Sequence, residues 1–204
     1  LTNFIENSEV NRRYHSHCEQ ITDVLYPKDD HHEGKLLRMK QEYFCSTIGL
    51  QNIIDEHIRK HNTIMNFHEF NVLHINDTHM SWVVPELMRI LLDEFGLNWE
   101  DSWFITQHSI TYTNHTVLQE AMEKWDIHMV KSLLPRIYMI IEEINRRQNE
   151  TYDKAIIRDN MIITANMLVE TAYSVNGVAE IHSNIIKKET FKETLRCASE
   201  VFHE

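Results

Sequence analysis

Along this 204-residue chain the period of the apolar positions changes several times, and the changes mark its elements. Residues Asn11 to Leu25 repeat at helical spacing and stop at YPKDDHHEG, a polar turn carrying Pro27 and Gly34. The spacing predicts a second helix from Lys35 to His61, bent near Gly49. Its far end is charged and has little apolar surface beyond Leu50, Ile53, Ile54 and Ile58, so it either projects into solvent or packs on a partner. Val72, Leu73 and Ile75 then form a short apolar run closed by Asn76 and Asp77, the pattern of a buried strand. Val83, Leu87, Ile90 and Leu91 share one face of a helix that Gly96 can end. Asn98 can cap another, with Glu100 and Asp101 near its positive end.

The stretch ITYTNHTVLQEAMEKW, Ile110 to Trp125, alternates like a strand in its first half and repeats like a helix in its second. HSITYT is read as the strand, and Thr116 with Gln119 has the spacing of a capping box that opens the next helix. Asp126 is a further N-cap, followed by an apolar helical stripe from Val130 to Ile144 that runs to Arg147 and is split or kinked at Pro135. NMIITANMLVETAYSVNGVAEIHSNIIKKETF is helical by spacing, with a break around Asn176 and Gly177, and the tail from Lys192 to Glu204 is weakly patterned. The order is strand, helices, strand, helices, with roughly 36 residues between matching strand ends, a length that suits a right-handed crossover and parallel pairing. The expected class is α/β dominated by helix. No repeat or linker interrupts the chain, so residues 1–204 read as a single structural unit.

Composition narrows this picture. Hydrophobic residues make up 42% and charged residues 25%, ordinary for a soluble globular protein. Four glycines and three prolines argue against flexible linkers and all-β architecture. A formal charge of −11 without a basic cluster disfavours nucleic acid. No apolar run approaches the roughly 20 residues that span a bilayer, so no membrane partner is expected. The N-terminus LTNFIENSEV is not a signal peptide, and its lack of a starting Met suggests a chain cut from something longer. Cys18, Cys45 and Cys197 are distant and odd in number, which points away from disulfides and toward a reducing cytoplasm. The sequons NDT, NHT and NET are then read as chance matches.

Candidate chemistry gathers where the two strands end. In open parallel sheets, ligands bind beyond the carboxyl ends of the strands. The first strand places Asn76, Asp77, Thr78 and His79 there, and the second places Asn114 and His115. Neutral donors and acceptors with one carboxylate match sugar hydroxyls, each of which can donate and accept. They match polyphosphate badly, since no Lys, Arg or Gly-rich loop accompanies them. Against this stands the reading of Asn, Asp and Thr as simple caps and turn formers; two such rims in register favour a site. His57 and His61 have the i, i+4 spacing of metal ligands but lack a third, so a solvated charged helix is the better reading and no metal is expected. Asp29, Asp30, His31 and His32 fit a cation or a polar turn equally well. Trp82, Trp99, Trp103 and Trp125 are read as core or inter-helix packing, and Cys45 as a small core residue.

At these motifs the chain resembles the α-glucan phosphorylases, the glycogen, starch and maltodextrin phosphorylase family. The matching runs are VLYPKDDHHEGKLLRMKQEYF, HINDTHMSWVVPELMRILLDEFGLNWEDSW, YTNHTVLQEAMEKW, LLPRIYMIIEEINRR and SVNGVAEIHSNIIKK, in the family's order from about Asn11 to Phe191. The resemblance implies a helix-rich part of a Rossmann-like domain with a short parallel sheet, from a two-domain glycosyltransferase-type fold. Residues 1–204 would be the later part of its N-terminal domain. It implies transfer of a terminal glucosyl unit from an α-1,4-glucan to inorganic phosphate, giving glucose 1-phosphate, with pyridoxal phosphate as cofactor of the parent and none expected in this fragment. The pyridoxal-bearing lysine and the basic phosphate-binding residues belong to the family's other half, so the fragment alone is expected to be inert.

By the same resemblance His115 of TNHT matches the histidine that contacts the glucosyl hydroxymethyl group, the expected catalytic contribution. Asp77 and His79 match residues beside the anomeric side of the sugar, and Val175 and Asn176 of SVNG a segment packed against it. The Leu50–His61 helix looks like the family's subunit-contact helix, which implies a homodimer. The chain departs from the family's pattern at Met80 and Gln119, where prolines are usual, at Tyr173 and Ser174, and in the short stretch between Lys60 and Phe70. The alternative function is a non-catalytic stand-alone carbohydrate-binding or assembly module, and a metal-dependent hydrolase would require stoichiometric metal.

Overall fold

Capping and close approach organise the first segment. The computed structural model describes residues 18–24, 27–116, 122–148 and 155–178, which divide into two compact units within residues 1–45 and 46–204. In the first, residues 18–23 are helical, and helix α1, His32–His61, begins. Gln41 Nε2 donates to the carbonyls of Ile21 and Val24, fastening the two helical stretches together. A Cβ at Gly34 would lie 1.8 Å from the Lys28 carbonyl oxygen, so only glycine allows the turn to close there. The polar turn is held by its own contacts: Asp29 accepts from Arg38 at 2.6 Å, and His31 Nδ1 accepts from the Gly34 N–H. These bear out the turn reading of that acidic stretch.

Helix α1 runs without interruption through Gly49. Met39, Glu42, Ser46, Leu50, Ile54 and His57 are buried along one stripe of it, at spacings of three and four. Cys45 falls off that stripe and is exposed, so it is not the core residue that its apolar surroundings suggested. At the C-terminal end, within the second unit, His57 Nε2 donates to the Thr63 carbonyl and Asn66 Oδ1, while Nδ1 accepts from Asn71 Nδ2. Its ring stacks on His61 with centroids 4.6 Å apart. Both ring nitrogens are spent on structure, joining α1 to the short helix α2, Phe67–Phe70.

The remaining elements follow in βαβ order. Strand β1 spans Leu73–Asn76 and leads through a 3₁₀ turn, Thr78–Met80, into α3, Val83–Arg89. That helix continues as a π-helical turn, Ile90–Glu94, and the chain reverses at Gly96 with φ 67°. Asn98 accepts from the Asp101 N–H and caps α4, Trp99–Ser109, which passes directly into β2, Ile110–Asn114. Helix α4 therefore takes His108 and Ser109, which alternation had assigned to the strand. A short strand β3, Lys124–Asp126, precedes α5, Ile127–Leu133, where Asp126 accepts from the N–H groups of His128 and Met129. Pro135 opens α6, Pro135–Gln148, as its fixed φ and missing N–H favour at a first helical position. The expected capping box at Thr116 and Gln119 reaches outside the described residues.

A hairpin that begins just before Asn160 takes the first residues of the helix expected over NMIITANML. Strands β4, Ile157–Arg158, and β5, Met161–Ile163, form a hairpin whose two central residues, Asp159 and Asn160, have φ of 52° and 59°. That is the positive-φ pair of a two-residue turn matched to strand twist, and Asp and Asn tolerate it well. Helix α7 is only Thr164–Thr171, and SVNG, read from spacing as a helix break, is strand β6, Ser174–Gly177. Strands β3, β5 and β4 make a small antiparallel sheet in that order.

The main sheet is β1-β2-β6, all parallel, with Asn76 beside Thr113 and Thr113 beside Asn176. Strands added one after another in the same direction, each through a right-handed crossover, place both crossovers on one face. Burial agrees. Leu73, Ile75, Ile110, Tyr112 and Val175 are buried on one face, while His74, Asn76 and Asn176 alternate with them and are exposed on the other. The helix-rich α/β class with a short parallel sheet is thus as expected, with a third parallel strand in addition. No described helix is long and apolar enough to cross a membrane.

Candidate functional site

The carboxyl ends of β1, β2 and β6 share one edge of the sheet, because the three strands are parallel and in register there. At that edge His115 Nε2 donates to Asn76 Oδ1, linking the loop after β2 to the last residue of β1. An amide oxygen is only an acceptor, so the neutral imidazole carries its proton on Nε2 and turns a lone pair on Nδ1. Thr113 donates its hydroxyl proton to Asn176 Oδ1 at 2.9 Å, which draws the third strand into the same polar set. Asn76, His115 and Asn176 are therefore brought together on the open face of the rim.

Asp77 extends the rim by one residue. Its N–H donates to the Thr113 carbonyl at 3.0 Å, and its carboxylate then accepts from the Thr78 N–H at 2.8 Å, capping the 3₁₀ turn. The backbone reaches this position with φ 72° and ψ 177°, a region occupied almost only by glycine. Such strain of about 1–3 kcal/mol persists where surrounding contacts over-determine it, commonly at functional sites. His79, on that turn, has Nδ1 3.6 Å from Asp77 Oδ2. It also lies within 4.8 Å of the Glu123 carboxylate.

Asn114 and Val175 take the other face and are wholly enclosed. Asn114 Nδ2 donates to the Tyr112 hydroxyl at 2.8 Å, whereas its buried Oδ1 has no hydrogen-bond partner among the described residues. Burial pushes the Tyr112 phenol well above its ordinary range, against the Asn114 hydrogen bond and with a smaller push from the Asp77 and Glu123 charges. The hydroxyl thus stays protonated beneath the rim. Tyr112, Thr113 and Glu123 are part of this arrangement, and local pattern did not single them out. Alternation along ITYTN could have assigned Thr113 to the face of the rim, but its neighbours in β1 and β6 depend on register between distant segments.

Trp82 and Trp125 are packing residues, as expected, buried with ring centroids 6.1 Å apart, and Arg147 covers the half-buried Trp99 at 4.7 Å.

A strained acid, an oriented imidazole and the two exposed amides of Asn76 and Asn176 at one sheet edge fit a polyhydroxylated ligand. The family model of carbohydrate phosphorylases matches residues 3–204. The chain belongs to the carbohydrate phosphorylase family. It is 48% identical over 192 residues to the glycogen phosphorylase of Bacillus subtilis, covering 88% of this chain and 24% of that protein. To the H isozyme of α-glucan phosphorylase from Vicia faba it is 41% identical, covering 87% and 23%. The muscle form of glycogen phosphorylase from Ovis aries is 41% identical over 202 residues, covering 86% and 24%. The chain spans about a quarter of the length of these relatives, so the family's larger architecture lies mostly outside it.

Proposed function

We propose that this chain is the later part of the N-terminal domain of an α-glucan phosphorylase of two-domain glycosyltransferase-type fold. The parent transfers a terminal glucosyl unit of an α-1,4-glucan to inorganic phosphate, and the rim of β1, β2 and β6 holds that glucosyl unit. The single observation that carries the reading is the Asn76–His115 hydrogen bond, which fixes the ring so that Nδ1 accepts from a sugar hydroxyl. His115 then orients the glucosyl hydroxymethyl group and strengthens that bond as positive charge develops on the ring. Asp77 and His79 line the anomeric side, Asn176 offers its amide, and Asn114 and Val175 support the floor from the packed face.

Residues 76–79, 113–116 and 174–177 include no lysine or arginine. This rim does not fit the phosphate of pyridoxal phosphate, nor inorganic phosphate; both groups fall to the rest of the parent. The 204-residue chain alone is therefore inert. The parent is a cytoplasmic homodimer in which the Leu50–His61 helix region contacts the partner.

Phosphorolysis of maltoheptaose by the full-length protein tests this. His115→Ala lowers glucose 1-phosphate production by about 100-fold or more, while pyridoxal absorbance is retained. Equal rates would reduce TNHT to a strand-to-helix connection and remove the pocket.

A further inference from the structure

The open face of the main sheet carries a continuous chain of polar contacts leading to Asn176. Thr111 Oγ1 lies 2.9 Å from His74 Nδ1, His74 Nε2 lies 3.0 Å from Thr113 Oγ1, and Thr113 Oγ1 lies 2.9 Å from Asn176 Oδ1. The proton count orders these contacts. A threonine hydroxyl has one proton, and Thr113 gives it to the Asn176 oxygen. The His74 contact must then be an Nε2–H donating to Thr113, and Nδ1 accepts from the Thr111 hydroxyl. With the ring's proton moved to Nδ1, Thr113 would turn its own proton to Nε2. Asn176 would then have to rotate, bringing its NH₂ to Thr113 and its oxygen outward.

We infer that His74 and Thr113 are positioning residues which select the end of the Asn176 amide presented to the glucosyl unit. The inference rests on the reading of the rim as the sugar site. His74 does not touch the ligand; it acts through Thr113 across the register Asn76–Thr113–Asn176. In the arrangement observed, the Asn176 NH₂ is the outward group, so the residue serves as a donor to a sugar oxygen. Among the described residues that nitrogen donates only to the Gly177 carbonyl, at 3.1 Å, which leaves its second proton to the ligand.

The test is steady-state phosphorolysis by the full-length protein carrying His74→Leu, His74→Gln, Thr113→Val, Thr113→Ser and Asn176→Ala, singly and in pairs. His74→Leu and Thr113→Val each raise the glucan KM by about tenfold with kcat within about threefold, because one oriented donor is lost without touching the reacting bond. Gln at position 74 retains an N–H for Thr113, and Ser at position 113 retains the hydroxyl, so both restore KM to near wild type. In an Asn176→Ala background His74→Leu has no further effect. Two results overturn the relay: a KM raised by Asn176→Ala but untouched by His74→Leu and Thr113→Val, or a His74→Leu effect undiminished in the Asn176→Ala background. An unchanged KM in Asn176→Ala also overturns the relay, whereas the sugar-site reading stands or falls separately with His115→Ala.

Discussion

Asp77 combines two roles that pull against each other. Its carboxylate caps the 3₁₀ turn that carries His79, while its backbone sits in a conformation natural only to glycine. Asp77→Gly therefore unfolds at a higher urea concentration than Asp77→Ala, by about 1 kcal/mol or more, since both lose the cap but only glycine releases the strain. Both variants nonetheless lose the carboxylate from the rim, and glucan phosphorolysis in the full-length protein falls together in the two. Parallel losses of stability instead would show that the backbone there is unstrained. At this scale the sequence was informative about identity and poor about direction. The polar runs INDTH and YTNHT named the rim residues, because turn formers stand out against apolar strands. That Asn114 turns inward to Tyr112 while Thr113 meets His74 and Asn176 depends on register between distant strands, which no local run announces.

Elements with strong local signals were legible. Asn98 and Asp126 as caps, Pro135 as a helix start and Gly96 as a stop all act through the backbone of their own few residues. The β4–β5 hairpin was not, because its strands are only two and three residues long, too short for alternation to show, and only the Asp159–Asn160 pair marks the reversal. Helix α6 carries a testable electrostatic feature. Glu143 accepts from Arg146 and Arg147, and these guanidinium groups pull its carboxyl down to about 2 from an ordinary 4.5. A carboxyl depressed in the folded state contributes stability that is full above about pH 4.5 and is lost as pH falls toward 2. Urea midpoints followed across that window decline less steeply in Glu143→Gln than in wild type. The difference is small, because the arginines are solvent-exposed. An identical decline in both proteins would remove the pair from the account.

At the scale of the molecule, one-sided crossovers leave a polar sheet face open, and large apolar side chains stand in solvent elsewhere. Phe70, Val72, Phe104, Met139 and Tyr173 are each at least half exposed. Both outer strands of the main sheet, β1 and β6, are edges among the described residues. A chain spanning about a quarter of its relatives is expected to expose surface of this kind, and it drives self-association of the isolated 204 residues. Sedimentation velocity at rising concentration should show a growing mass; a clean monomer throughout contradicts this. The parallel pair β1–β2 could be anticipated from the length of the connection between them. The addition of β6 could not, since SVNG is too short to announce a strand without the neighbour that pairs with it.

The most direct measurement of the sugar-site account is a double-mutant cycle between His115 and the glucosyl hydroxymethyl group. The full-length protein, wild type and His115→Ala, is assayed in the synthetic direction with glucose 1-phosphate and 6-deoxyglucose 1-phosphate. Removing either partner costs about 100-fold in kcat/KM and removing both costs little more, a coupling of about 2–3 kcal/mol. Losses that simply multiply would contradict it, and would place the hydroxymethyl group away from His115.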